Sequence, residues 1–257
     1  MQTALTIAGS DSGGGAGLQA DLRTFQAHGV FGTSAVTAVT AQNTLGVRSI
    51  QVLDPDMVAA QIAAIADDFS VAATKIGMLA NADIIRVVAH ALGQFHLGPI
   101  VLDPVMVAKG GDSLLAPEAV DALKTILLPR ATLVTPNIPE AEVLTGMRIR
   151  TVEDMRAAAV RLLASGVQAV VVKGGHLDGP AVDVYADAFG VEEFVALRID
   201  SRHTHGTGCT FSSAVAARLA LRDPLKSAVR GAKAYVLTAI ENAPHLGHGH
   251  GPLGLGC

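Results

Sequence analysis

Thr204-His205-Gly206-Thr207-Gly208-Cys209 runs directly into an apolar stretch with helical spacing. Gly206 and Gly208 would leave backbone N–H groups open at a helix N-terminus, which is an anion site and would stabilise charge on a transferring phosphoryl group. Cys209 would fall in the first turn, where the helix dipole favours thiolate. The competing reading is a structural cysteine behind a glycine turn. Lys173-Gly174-Gly175-His176 follows the buried run Ala169–Val172. A lysine there puts a compact charge within reach of phosphate oxygens, unless it only snorkels to solvent.

Asn137 and Glu140, in Thr135-Pro136-Asn137-Ile138-Pro139-Glu140, are three apart at a helix start. They can face one way and suit Mg²⁺, which keeps most of its waters and takes few protein ligands. The same pair also reads as a capping box. Gly9-Ser10-Asp11-Ser12-Gly13-Gly14-Gly15-Ala16-Gly17 holds more glycine than a tight turn needs, so its N–H groups could converge on a ligand. It is neither a Walker A loop nor the G-x-G-x-x-G fingerprint. Gln42 offers a donor and an acceptor in one plane and could read an amino-substituted heteroaromatic ring.

These residues need a scaffold, and the pattern supplies one. Strands are expected at 3–8, 33–41, 73–76, 100–102, 132–134 and 169–173. Helices are expected near 18–28, after Asp54-Pro55, over 82–94, from about Pro117, near 138–145, 151–164, 208–221 and 223–242. Residues 181–199 read as a hairpin with Gly190 in its turn. The alternation predicts one α/β domain over 1–257, three layers with a mostly parallel sheet, and a ligand site at the carboxyl ends of its strands. Asp103, Asn137 and Lys173 fall just after or at the ends of expected strands. Residues 247–257, rich in Gly and His, read as an irregular, flexible tail. His245, His248 and His250 read as part of a flexible polar tail rather than as metal ligands.

Half of the 257 residues are hydrophobic, 16% are charged and there is no Trp, as suits buried parallel strands. Charges such as Arg161 and Arg218 break the apolar runs well short of the ~20 residues that span a bilayer. The N-terminus lacks a signal peptide pattern, so a cytoplasmic protein is expected. The formal net charge of −4 provides no electrostatic basis for nucleic-acid binding. Cys209 and Cys257 are expected as free thiols.

Taken in order, Ala8-Gly9-Ser10-Asp11, Gly14-Gly15-Ala16-Gly17, Ala20-Asp21, Ala41-Gln42-Asn43-Thr44, Lys75-Ile76-Gly77-Met78, Leu102-Asp103-Pro104-Val105-Met106, Thr135-Pro136-Asn137 with Glu140, Lys173–His176 and His205–Thr210 resemble the bacterial hydroxymethylpyrimidine/phosphomethylpyrimidine kinases of thiamin biosynthesis. The resemblance spans nearly the whole chain. It implies a ribokinase-like fold, ATP and Mg²⁺ as co-substrates, and a homodimer. The acceptors it implies are 4-amino-5-hydroxymethyl-2-methylpyrimidine and its monophosphate. By motif it implies that Gln42 binds the pyrimidine, with Gly9, Asp21, Met78 and Val105 lining the ring pocket. Gly206 and Gly208 would form the anion hole and Cys209 would take the base position. Asn137, Glu140 and Asp103 would position Mg²⁺. Lys173 and Thr204 would lie on the ATP side. Thr40 stands where the resemblance leads one to expect Val, so the pocket edge should be more polar. The tail is shorter than the family's. Pyridoxal kinase on the same scaffold and a non-catalytic pyrimidine-binding regulator remain alternatives.

Overall fold

The computed structural model describes residues 1–107, 111, 114–175, 177 and 179–256. His176 and Cys257, named above, lie outside the described residues. Nine strands form one sheet in the order β3-β2-β1-β4-β5-β6-β7-β8-β9. They are β1 (Thr3–Asp11), β2 (Phe31–Asn43), β3 (Gly46–Val52), β4 (Val71–Ile76), β5 (Ile100–Leu102), β6 (Leu133–Val134), β7 (Ala169–Lys173), β8 (Ala181–Asp187) and β9 (Gly190–Ala196). The six central strands, β2-β1-β4-β5-β6-β7, are parallel. β3, β8 and β9 pair antiparallel at the edges. The fold is therefore the α/β class expected.

The helices are α1 (Gly17–Ala27), α2 (Pro55–Asp68), α3 (Ala82–Gln94), α4 (Ala119–Ala122), α5 (Ile138–Thr145), α6 (Val152–Leu163), α7 (Thr207–Ala220) and α8 (Leu225–Glu241). α4 runs on through a π turn and a 3₁₀ turn to Arg130. Side chains alternate across each strand, and the two faces carry separate cores. In β7, Val170 and Val172 join the core under α2 to α6. Ala169 and Val171 join the core under α1, α7 and α8. Ala214, Ala216, Ala217 and Ala220 line α7 on that second face, so the helix packs close to the strands. Among the described residues, no helix is long and apolar enough to cross a membrane.

The structure corrects the expectations at several points. First, Gly9, Ser10 and Asp11 belong to β1, so the glycine loop is confined to the residues between Asp11 and α1. Second, β3 was not anticipated. Its Arg48, Ser49 and Gln51 are exposed or only partly covered, so the alternation that marks a strand is weak. Gly190, with φ +144°, begins β9 instead of sitting in the hairpin turn. Third, the tail is irregular but anchored. Leu253 and Leu255 are buried against Ala20 and Ala239, with Cys209 beside them. His250 N–H donates to Thr44 O at 2.9 Å, and His205 N–H donates to Gly251 O at 3.1 Å.

One polar island interrupts the α1/α7 face. Lys75 and Asp21 are both fully buried and 2.8 Å apart. Asp21 also accepts from Thr6 Oγ1 and Ser213 Oγ, each at 2.6 Å. Burial works against the Lys75 ammonium, but Asp21 outweighs it and raises its pKa. Losing the ammonium would strand a buried carboxylate, at a cost of about 3–5 kcal/mol. Lys75→Met should therefore lower the melting temperature by roughly 6–20 °C, taking about 2–4 °C per kcal/mol for a chain of this size. A calorimetric scan of the purified variant checks this.

Candidate active site

Because the central strands are parallel, their carboxyl ends open on one edge of the sheet. Asp11 ends β1, Gln42 lies at the end of β2, Gly77 and Met78 follow β4, Asp103 follows β5, Thr135 to Asn137 follow β6 and Lys173 ends β7. α7 starts at the same edge. Gly206, with φ +81°, is its N-cap and no side chain caps it. A Cβ at Gly206 would come within 1.9 Å of Gly15 O, so the turn is pressed against the glycine loop.

The loop differs from the expectation of N–H groups waiting for a ligand. Asp11 takes them. Its carboxylate accepts from Gly13 N (2.8 Å), Gly15 N (3.1 Å) and Ala16 N (2.9 Å). Its Oδ2 also lies 2.9 Å from His205 Nε2. Burial raises the Asp11 pKa, but the His205 and backbone donors prevail and hold it below the usual carboxylate value. Asp11 thus clasps the loop after β1 to the turn before α7. The glycines serve this packing, since a Cβ at Gly15 would sit 2.5 Å from the His205 ring. Sequence reasoning did not foresee this role for Asp11. The signal was an acidic residue two and four positions before Gly13 and Gly15.

At the ends of β5 and β7, Lys173 Nζ pairs with Asp103 Oδ1 at 2.9 Å. A Cβ at Gly208 would come within 3.1 Å of Nζ, so Lys173, Asp103 and the α7 turn meet at one point. Thr135 Oγ1 to Ser212 Oγ, 2.8 Å, ties β6 to α7 beneath them. Burial opposes the Lys173 charge, yet Asp103 and Glu140 raise its pKa. Thr204 stands at the mouth of the same turn, and its carbonyl accepts from Thr207 Oγ1 at 2.7 Å.

Asn137 and Glu140 do form the capping box. Asn137 Oδ1 accepts from Glu140 N at 2.9 Å, and Glu140 Oε2 accepts from Asn137 N at 2.8 Å. Burial raises the Glu140 pKa, and so does Asp103, while Lys173 lowers it. Two carboxylates thus crowd one lysine. Among the described residues, no group of three His, Cys, Asp or Glu side chains could grip a metal ion directly.

Cys209 lies half-buried in the first turn of α7. The helix start does not make it a thiolate. Burial pushes the thiol up to about 11, against the pull of Lys75 and of the Gly17 N–H. At neutral pH the group is a thiol, which corrects the expectation of a lowered pKa.

Near the ends of β2 and β4, Met78, Ala38 and Ala80 form a small separate apolar cluster with Val105, Leu114, Ile50 and Val52 beside it. Gly9 completes it, because a Cβ there would meet Met78 Sδ at 2.9 Å. Ile50 and Val52 come from the unanticipated β3. Asp21 is fully buried on the α1/α7 face, with its oxygens taken by Thr6, Lys75 and Ser213. It supports the site from below and does not line it. Gln42 is held at its backbone by Ser12, with Ser12 Oγ donating to Gln42 O at 2.7 Å and accepting from Gln42 N at 2.8 Å.

This geometry has clear relatives. Residues 11–254 match the family model of phosphomethylpyrimidine kinase. The hydroxymethylpyrimidine/phosphomethylpyrimidine kinase of Haemophilus influenzae is 50% identical, covering 98% of this chain and 96% of the relative. Among solved structures, the pyridoxal kinase of Bacillus subtilis in its ADP complex has a TM-score of 0.92 and 44% identity, with 98% and 97% covered. The phosphomethylpyrimidine kinase of Clostridium difficile has a TM-score of 0.84 and 42% identity, with 93% and 100% covered.

The clasp predicts a pH signature. Because folding lowers the Asp11 pKa, its contribution is present above the ordinary carboxylate range and is lost as pH falls through the folded value. Asp11→Asn should cost about 1–3 kcal/mol at pH 7. That difference should shrink as unfolding is measured at progressively lower pH and vanish once pH lies below the folded value.

Proposed function

The chain belongs to the phosphomethylpyrimidine kinase family, and from that premise we propose that it phosphorylates 4-amino-5-hydroxymethyl-2-methylpyrimidine and then its monophosphate, using ATP, in thiamin biosynthesis. The observation that carries this is the meeting of Lys173, the uncapped start of α7 and Cys209 at one edge, next to the apolar cluster around Met78. One side suits phosphates and the other a flat ring. A regulator that only bound the ring would have no use for the first. The nucleotide state of the Bacillus subtilis neighbour supports ATP as donor.

In this reading the ring lies against Met78, Val105 and Gly9, with Gln42 pairing to its edge. That points the hydroxymethyl oxygen at the turn. Lys173 and Thr204 hold ATP phosphates, and the N–H groups after Gly206 and Gly208 take up charge as the phosphoryl group moves. Such a transition state is loose, so positioning and charge stabilisation matter more than early proton removal. Cys209 receives the alcohol proton late. To do so it must first be ionised, and Lys75 beneath it lowers the cost of the thiolate.

The donor set fits a hydrated Mg²⁺ better than a directly chelated one. Asn137 and Glu140 already spend an oxygen each on the cap. Asp103 and Glu140 nevertheless leave negative charge that Lys173 offsets only in part. When bound, the ion would neutralise phosphate charge. Glu140, Asp103 and Asn137 would hold its waters. The reading also takes residues 1–257 as one kinase domain, since both helical layers share one sheet. A homodimer in the cytoplasm completes it.

ADP release with the pyrimidine alcohol, and separately with its monophosphate, tests the proposal. Mg²⁺-dependent release with both is expected. Preference for pyridoxal, whose kinase shares the scaffold, would overturn the substrate. Cys209→Ala should slow turnover by roughly 10²-fold or more while leaving pyrimidine binding within a few-fold. Because the thiol pKa is raised to about 11, the wild-type rate should climb as pH rises from 7 to 9.5, and the variant's should stay flat. Near wild-type turnover in the variant excludes the base role.

A further inference from the structure

Gln42 sits in a chain of contacts that decides which end of its amide points where. Gln42 Oε1 lies 3.1 Å from Thr40 Oγ1, and Gln42 Nε2 lies 3.4 Å from His205 Nε2. Thr40 is buried at 5% exposure, and its Oγ1 is also 2.9 Å from Ser10 O. His205 Nε2 is 2.9 Å from Asp11 Oδ2. The β1–β2 register slips between Ala8 and Ser10, which sets Thr40 beside Asp11 and brings these groups together.

Counting protons leaves one consistent arrangement. Ser10 O only accepts, so the single Thr40 hydroxyl proton goes to it. Asp11 already collects Gly13, Gly15 and Ala16 N–H and is an acceptor as well, so His205 carries its proton on Nε2. With Oε1 towards Thr40, two lone pairs then face each other, and the Gln42 amine faces an N–H. The two ends of an amide are isosteric, and hydrogen bonding decides between them. Turning it over removes both conflicts. Nε2–H then donates to Thr40 Oγ1, and Oε1 accepts a long share of the His205 proton.

We propose that Thr40 and His205 lock the Gln42 amide in this turned orientation, and that Thr40 is thereby a specificity-determining positioning residue. The lock leaves one N–H and one carbonyl lone pair of Gln42 for the ligand, in a fixed order. An aminopyrimidine edge presents the complement, an amino donor beside a ring-nitrogen acceptor. The aldehyde and phenolate oxygens of pyridoxal are both acceptors and leave the Gln42 carbonyl unanswered. The inference rests on the kinase reading above and adds the origin of its ring selectivity.

The test compares Thr40→Val, which keeps the shape, with Thr40→Ser, which keeps the hydroxyl. Thr40→Val should raise KM for the pyrimidine alcohol about 3- to 10-fold, the worth of one hydrogen bond. KM for ATP should not move, and the ratio of pyrimidine to pyridoxal turnover should fall. Thr40→Ser should restore both values to within about 2-fold. An unchanged pyrimidine KM in Thr40→Val, or no rescue by Ser, overturns the lock. A readout without substrate separates this from failure of the kinase reading. In the ¹⁵N spectrum of the free protein, one Gln42 side-chain amide proton should exchange slowly with water, and in Thr40→Val both should exchange fast. Equal, fast exchange in the wild type overturns the lock whatever the enzyme phosphorylates. A slow proton in a protein that does not phosphorylate the pyrimidine keeps the lock and sinks the substrate.

Discussion

The carboxylate of Asp11 holds the two halves of the site together. It stands at the end of β1, between the parallel strands β2 and β4, and collects donors from the loop before α1 and from His205 before α7. One side of that clasp leads to Gln42, where the ring is proposed to bind, and the other leads to Gly206 and the turn proposed to hold phosphate. The close approach of Gly15 and Gly206 depends on the same carboxylate. So does the seat of the C-terminal strap, which reaches His205 through Gly251. A neutral side chain at position 11 would remove the charge around which these segments are wound.

The charges at the other strand ends follow a second logic. Lys173 stands between Asp103 and Glu140, with more negative than positive charge around it. In the proposed reading that excess would suit a cation, and the lysine and the α7 turn would suit phosphate. Lys75 and Asp21 lie one layer deeper. They touch neither phosphate nor ring, but Lys75 biases the Cys209 thiol above it. The charges are graded, from a fixed, fully buried pair to a shared, largely buried lysine at the strand ends.

The central strands and most helices were legible in the sequence because their cues are local. Asp54-Pro55 caps α2 and the continuous apolar run 169–172 marks β7. The shared edge of Asp103, Asn137 and Lys173 was also legible, since parallel strands share one ligand edge; that the 206–209 turn meets Lys173 there was not. What failed depended on partners far along the chain. The glycine loop looked like a ligand cradle because nothing local reveals that Asp11 fills it. The tail looked flexible from its Gly and His content, whereas Leu253 and Leu255 pin it to α1 and α8. Cys209 was expected as thiolate because the helix dipole is visible in a sequence and burial is not.

The account divides one edge of the sheet into a ring side at Gln42, Met78 and Val105 and a phosphate side at Lys173 and the start of α7. The most direct test is a crystal structure with the pyrimidine alcohol and a non-hydrolysable ATP analogue bound together. It should show the ring edge on the Gln42 amide, the hydroxymethyl oxygen beside Cys209 and the terminal phosphate on the N–H groups after Gly206. A ring bound elsewhere, or phosphates that avoid both Lys173 and that turn, would contradict the account.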